Sequence, residues 1–223
     1  MLSFRLSAIA DFVKPRANVC DVGTDHGYLA IHLVKSGVAN KVLATDINAK
    51  PLQNAKKNIE KSGVFDVELR LCDGLEGVKK GEADTFIIAG MGGEVISGIL
   101  ERGANIVRED NITLILQPTT SPEFLRRYLC ENGFKILKEK AVFENSKLYS
   151  VMLVSFSGEE CEREESYYYI GELTPCDDVS VKYIEKQHGR AFKCMQSLEK
   201  VPGKADEYEY YKSLVLGIEK ILK

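Results

Sequence analysis

The densest cluster of chemically capable side chains in this 223-residue sequence is Asp21-Val22-Gly23-Thr24-Asp25-His26-Gly27, directly after a short apolar run. A strand that ends in a glycine turn and leads into a helix aims backbone N–H groups at a ligand. Such a site usually receives phosphate, but Asp21 and Asp25 would repel a pyrophosphate. They suit a cation instead, such as the sulfonium or the methionine ammonium of S-adenosylmethionine. The spacing also departs from G-x-G-x-x-G, because Asp25 and Tyr28 stand where glycines belong. The competing reading is a tight turn that needs Gly23 and Gly27 for backbone reasons alone.

Further polar residues follow later apolar runs. Asp46 either accepts hydrogen bonds from the ribose hydroxyls of an adenosine, which NAD and S-adenosylmethionine share, or caps the helix expected from Ala49. Cys72-Asp73-Gly74-Leu75 places Asp73 to accept an adenine amino proton, or forms a plain Asp-Gly turn. In Ala89-Gly90-Met91-Gly92-Gly93-Glu94 the glycines permit close backbone approach to a ligand. The Asn/Asp-Pro-Pro-aromatic motif of many amino-group methyltransferases is absent there, so the target atom need not be an exocyclic amine. Gln117, before Pro118, either hydrogen-bonds a base or caps the next helix.

The elements that position these residues alternate between two periods. Apolar runs at 18–22, 41–46, 66–71, 84–89 and 112–117 predict buried parallel strands. Helical patterns cover 27–36, 49–62, 93–106 and 121–132, with Ser121-Pro122 as N-cap and first helical residue, and Gly63 and Gly133 as stops. Every polar cluster then falls at the carboxyl ends of parallel strands, where open α/β sheets bind ligands. Runs at 134–143 and 148–156, separated by Glu144-Asn145-Ser146-Lys147, predict an antiparallel hairpin. Five parallel strands closed by a hairpin make a seven-stranded, mostly parallel α/β sheet with the ending of a class I (Rossmann-like) methyltransferase.

Residues 157–176 hold one Arg against six acids and read as an acidic connector between a domain over 1–156 and a tail over 177–223. In the tail, Val181, Ile184, His188, Ala191, Met195 and Leu198 form one seam, and Tyr208, Tyr211, Val215, Ile218 and Leu222 another. Val201-Pro202-Gly203 separates them. A coiled-coil-like helical hairpin is expected, with His188 either tolerated in the seam or touching RNA.

VGTDHGYLAIHL, ATDIN, DGLE, IAGMGG and LILQP, in this order, resemble the bacterial tRNA (adenine-N1) methyltransferases that modify position 22 of the D-loop region, the TrmK family. The resemblance implies S-adenosylmethionine as cofactor, tRNA as substrate, a coiled-coil-like C-terminal appendage and a catalytic role for the acid of the TDHGYL turn, Asp25. The matching motifs extend the expected cofactor set to Asp21, Gly23, Thr24, His26, Asp46, Ile47, Asp73, Gly74, Gly90, Met91 and Gly92.

The chemistry is consistent with that resemblance. N1 of neutral adenine carries an in-plane lone pair and needs no base before it attacks a methyl group. Its methylated product is a cation, which a carboxylate such as Asp25 would stabilise. N1 is a pairing edge, so the nucleotide must leave its stack to react. Tyr28 is then either a stacking surface for the base or a packing residue of the first helix.

Composition bounds the remainder. A net charge of −3 excludes a globally basic nucleic-acid binder. Local phosphate contacts are expected from Arg5, Lys14 and Arg16, and from Lys182, Lys186, Arg190 and Lys193, whose spacing sets four cations along one helix flank or leaves them as a solvated face. Six scattered cysteines without a C-x-x-C pair predict neither a metal site nor a disulfide framework, and fit a reducing cytoplasm. Apolar runs of about six residues fall short of the roughly 20 that a membrane helix needs. The first sixteen residues read as an amphipathic helix rather than a signal peptide. A monomer is expected. Two other readings remain: a non-catalytic RNA-binding protein that keeps this fold, and a methyltransferase acting on a small molecule or a protein.

Overall fold

The computed structural model describes residues 2–223. Sixteen elements follow in chain order: α1 (Phe4–Ala10), β1 (Ala17–Val22), α2 (Tyr28–Lys35), β2 (Ala39–Asp46), α3 (Ala49–Ser62), β3 (Val67–Leu71), β4 (Thr85–Gly92), α4 (Gly93–Arg102), α5 (Ala104–Val107), β5 (Thr113–Thr120), α6 (Pro122–Glu131), β6 (Phe134–Glu144), β7 (Lys147–Phe156), α7 (Glu165–Ile170), α8 (Asp178–Leu198) and α9 (Ala205–Leu222). The strands form one sheet in the order β3-β2-β1-β4-β5-β7-β6. The first five are mutually parallel, and the terminal hairpin joins β5 through antiparallel β7. This is the Rossmann-like methyltransferase sheet expected above. The strand order reverses between β1 and β4, which opens a crevice at their carboxyl ends.

Alternation along the central strands divides the core. Cys20, Ile88 and Leu116 face a layer with α4, α5 and α6. Val19, Ile87 and Ile115 face a second layer with α1 and α2. Both faces are covered, so these strands read as continuous apolar runs. A third cluster joins Ile170, Leu173, Tyr183, Ile184, Leu214 and Ile218 to Ala141 of β6.

Several local expectations need correction. The N-terminal helix runs only over Phe4–Ala10. The helix expected over 93–106 breaks at Gly103, whose N–H donates to Ile99 O at 2.9 Å. A Cβ at Gly103 would collide with Leu75. Ser121 stands at the N-cap of α6 but in the left-handed region (φ 49°), with no capping bond from its side chain. Gly93 packs against its carbonyl so closely that a Cβ at Gly93 would overlap Ser121 O.

The acidic stretch 157–176 is not a bare connection. It contains α7, and its Ile170 and Leu173 are buried in the cluster they share with the tail helices. Its charges lie on the outer side, which is why composition alone suggested a linker. In α8 the buried set is Ser180, Tyr183, Ile184, Gln187 and Ala191, so the seam is rotated from the one read by apolar spacing. Tyr183 and Gln187 are polar-tipped residues that an apolar count passes over. His188 lies in the helical hairpin with its Nε2 3.2 Å from Glu219 Oε1.

Candidate active site

Two cavities open at the carboxyl ends of β1, β2 and β4, and they share Gly23, Ala89 and Gly90. The first, of about 300 Å³, is lined by Asp21, Thr24, Asp25, His26 and Tyr28, with Arg5 and Leu6 contributed by α1. The second, of about 350 Å³, is lined by Asp46, Ile47, Asp73, Gly74 and Met91, with Val95, Ile99 and Arg102 from α4. Residues from five separate segments thus converge on one edge of the sheet.

The turn after β1 is built by glycine conformation and by α3. Gly23 (φ 81°) and Gly27 (φ 68°) both occupy the left-handed region. Gly27 is the N-cap of α2, and a Cβ there would stand 3.2 Å from that of Ala55. Asn58 of α3 donates to His26 O at 2.9 Å and ties the turn to the neighbouring helix. Asp25 is therefore not the helix cap. Its side chain is 75 % exposed, and His26 Nε2 lies 3.2 Å from its Oδ2. Tyr28 is exposed and stacks on His26 with ring centroids 5.4 Å apart, so it is not a core-packing residue.

Asp21 occupies a contrasting environment. It is buried, and its Oδ2 accepts a hydrogen bond from Thr24 Oγ1 at 2.8 Å. Burial pushes its carboxyl up to about 6; the Thr24 hydroxyl opposes that shift and the charge of Asp46 adds to it. Removing a carboxylate from water disfavours its ionised form, and a cation placed beside it restores that form.

The second cavity has apolar walls and acids at its rim. Asp46 Oδ1 accepts from the backbone N–H of Asn48 at 2.7 Å, while the N-cap of α3 is Asn48 itself. Asp73 receives Arg102 Nη2 at 3.3 Å. Thr45 Oγ1, on the wall of this cavity, is buried without a hydrogen-bond partner. Orphaned buried hydroxyls are uncommon, and one on a cavity wall fits a ligand-binding role. Ile47, Val95 and Ile99 offer surface to a base, the acids offer acceptors to sugar hydroxyls and an amino group, and Asp21 suits a cation. This donor and acceptor set fits S-adenosylmethionine. It fits NAD poorly, because the shared wall at Gly23 would bring a pyrophosphate beside Asp21 and Asp25.

Other expected site residues fall outside these cavities. Gly92 is the N-cap of α4 and packs against Thr120 Oγ1, so it shapes the loop instead of lining either cavity. Gln117 is fully buried. Its Oε1 accepts from Arg5 Nη1 (2.6 Å) and Gly90 N (3.2 Å), and its Nε2 donates to Pro118 O (2.7 Å). The amide expected to reach a base or cap a helix is spent inside the protein, where it positions Arg5 and Gly90. Arg5 is held further by Glu144, which accepts from its backbone N–H (3.0 Å) and lies 3.5 Å from its Nε. Arg5 is thus a wall of the first cavity and not a free surface cation.

Lys14 is exposed outside the two cavities, and Lys182 and Lys193 are exposed on α8. Lys186 and Arg190 line a third cavity of about 420 Å³ between α8 and the segment 118–123. Arg190 also lies 3.8 Å from Glu123.

Sequence reasoning missed Thr45, Leu6 and the flank of α4. Val95, Ile99 and Arg102 are spaced four and three apart, so a helical wheel would have placed them on one stripe beside the glycine loop. Among the described residues no cluster of His, Cys, Asp and Glu is arranged to hold a metal ion, and no helix is long and apolar enough to cross a membrane.

Comparison with known proteins follows this geometry. Residues 2–152 match the family model described as a methyltransferase domain. The chain is 36 % identical over 171 residues to the tRNA (adenine(22)-N(1))-methyltransferase of Bacillus subtilis, covering 74 % of this chain and 68 % of that protein. The solved structure of the B. subtilis m1A22 tRNA methyltransferase TrmK superposes with a TM-score of 0.86 at 27 % identity, over 100 % of this chain and 99 % of that one. TrmK of M. capricolum, solved with S-adenosylhomocysteine, gives a TM-score of 0.81 at 27 % identity over 100 % and 98 %.

Proposed function

The chain belongs to the tRNA (adenine(22)-N1)-methyltransferase family, and from that premise we infer that it methylates N1 of an adenine in tRNA, at position 22, with S-adenosylmethionine as methyl donor. The observation that carries the site assignment is the pairing of a buried carboxylate, Asp21, with an exposed one, Asp25, on opposite sides of the same glycine turn. When bound, the cofactor supplies a methyl group on a positively charged sulfur. The chain's own residues hold that group and present the base.

Asp46 would accept from the ribose and Asp73 from the adenine amino group, between walls formed by Ile47, Met91 and Ile99. Thr24 fixes the Asp21 carboxylate, which faces the cationic portion of the cofactor; Gly23, Gly74 and Gly90 keep the backbone close. His26 completes the turn by its contact with Asp25.

The target adenine enters the first cavity unpaired. Tyr28, backed by His26, offers it a stacking face. N1 attacks with its own lone pair, so the enzyme supplies alignment and water exclusion rather than a base. Positive charge develops on the ring, and Asp25 stabilises it. The exposed cations Lys14, Lys182, Lys186, Arg190 and Lys193 face the RNA backbone, and Arg5 lines the pocket that receives the target nucleotide. The chain acts as a monomer in the cytoplasm, where tRNA is found.

The test is methyl transfer from labelled cofactor offered unmodified tRNA, bulk protein and free adenosine in parallel, followed by nucleoside analysis. Label in N1-methyladenosine from tRNA supports the reading. Label confined to protein or to free adenosine overturns it.

A further inference from the structure

Arg126, in the middle of α6, is fully buried, as is the carboxylate of Glu139 that it meets from β6. Its Nη1 donates to Tyr168 O (2.7 Å) and Tyr169 O (3.0 Å) of α7. Its Nη2 donates to Ser150 Oγ of β7 (3.3 Å), Tyr183 Oη of α8 (3.2 Å) and Glu139 Oε1 (2.5 Å). Glu139 Oε2 in turn accepts the backbone N–H of Glu172 at 3.1 Å. One guanidinium therefore joins the sheet, the stretch 157–176 and the first tail helix.

A buried ion pair is weak evidence for stability, because desolvation offsets most of the attraction. What this one supplies is geometry. Ser150 and Tyr183 both line the cavity between α8 and residues 118–123, the cavity that Lys186 and Arg190 also line. Its other wall is the carboxyl end of β5, where Thr119 Oγ1 donates to Met91 O at 3.0 Å. Gln117, two residues earlier, holds Arg5 and Gly90 at the first cavity. The flank of α8 that carries Lys186 and Arg190 and the first cavity thus both meet residues 117–123, which lead into α6, the helix that carries Arg126.

We propose that Arg126 is a positioning residue for the reaction: it ties Tyr183 of α8 to Ser150 of β7 at the lining of this groove and so sets Lys186 and Arg190 at a fixed place relative to the base pocket, where they hold the phosphodiester backbone flanking the target adenosine. This rests on the tRNA reading above. Arg126 touches neither base nor cofactor. It acts through α8, and a lysine cannot replace it, since one ammonium cannot span acceptors on four elements.

The test compares wild type with Arg126→Met/Glu139→Met, which removes both charges and leaves no buried unpaired ion. A second variant, Ser150→Ala/Tyr183→Phe, removes only the wall contacts and preserves the ion pair. Each is measured for cofactor binding stoichiometry, for kcat and KM on tRNA, and for the salt dependence of tRNA binding. The positioning role predicts full cofactor stoichiometry, a KM for tRNA raised about tenfold in the first variant and about threefold in the second, and kcat within about twofold. It also predicts a salt slope shallower by about one to two phosphate contacts.

An unchanged KM and salt slope in the folded first variant overturn the proposal. If that variant does not fold, an unchanged KM in the second overturns it. A fall in kcat that tracks lost cofactor stoichiometry, at constant KM, would mean that Arg126 only stabilises the fold, and also overturns it. Wild-type protein that binds cofactor but methylates no tRNA would overturn the function reading and this proposal together, whereas an effect missing only in the variants overturns the proposal alone.

Discussion

Arg5 at the base pocket and Arg126 beneath the tail are both fastened to a glutamate of the β6 strand, yet their surroundings differ. Arg126 has every guanidinium nitrogen engaged and no exposed surface. Arg5 gives Nη1 to Gln117 and approaches Glu144 through Nε, while its side chain stays 24 % exposed on a cavity wall. The first arrangement suits a scaffold, in which losing a partner leaves a buried charge. The second suits a contact group held in place by residues behind it. The difference teaches that residue type alone does not assign a role: the fraction of donors already spent does.

Changes at the two ends should therefore fail in different observables. The largest expected effect is at the tail end. Arg126→Ala leaves Glu139 buried and unpaired, and should cost about 3–5 kcal/mol of stability in denaturant unfolding. A loss below about 1 kcal/mol, the range of exposed pairs, would remove the scaffold assignment.

At the pocket end the next effect should fall on chemistry. Asp25→Asn should slow single-turnover methylation by about 10²-fold at saturating cofactor and tRNA, with stability and cofactor affinity little changed. A rate within about threefold of wild type would take Asp25 off the catalytic list. Asp46→Ala should weaken cofactor binding by about 1.5–3 kcal/mol in a calorimetric titration, the usual range for hydrogen bonds to a charged acceptor. An unchanged dissociation constant would sink the ribose assignment.

The effect that is smallest at neutral pH, because it has already been lost there, is a pH dependence of stability. Burial holds the Asp21 carboxyl at about 6 in the folded protein, against 3.8 for an ordinary aspartate. The native state therefore binds the proton more tightly than the unfolded chain between those values. The stabilisation of the protonated form is full below about pH 4 and is lost as pH rises through about 6, an amount on the order of 2–3 kcal/mol. Cofactor binding should run the opposite way, strengthening from about pH 5 to 7 as a cation draws Asp21 into its ionised form. Asp21→Asn should flatten both profiles. Persistence of either profile in that variant would assign it to another group.

The pocket end was largely legible in the sequence because its residues are contiguous with strand ends. Asp21 to Tyr28, Asp46, Asp73 and Gly90 each follow an apolar run, and the run sets which edge of the sheet they reach. Gln117 was misread although its position was right: its burial and two of its three partners come from residues 27 and 112 positions away, and only Pro118 is a neighbour in sequence. The tail end was legible only as helices. Arg126, Glu139, Ser150 and Tyr183 lie on four elements, and no local pattern joins them. The acidic stretch 157–176 looked like a linker because the carbonyls of Tyr168 and Tyr169, which bind Arg126, carry no sequence signal at all.

The most direct test of the whole assignment is primer extension across a tRNA treated with the protein and S-adenosylmethionine. A methyl group on N1 blocks Watson–Crick pairing, so reverse transcription should stop at adenosine 22. The stop should vanish when cofactor is omitted, when Asp25→Asn replaces wild type over the same short interval, and when that adenosine is replaced by guanosine. Full-length extension with active, cofactor-bound wild type, or a stop elsewhere that survives replacement of adenosine 22, would contradict the assignment.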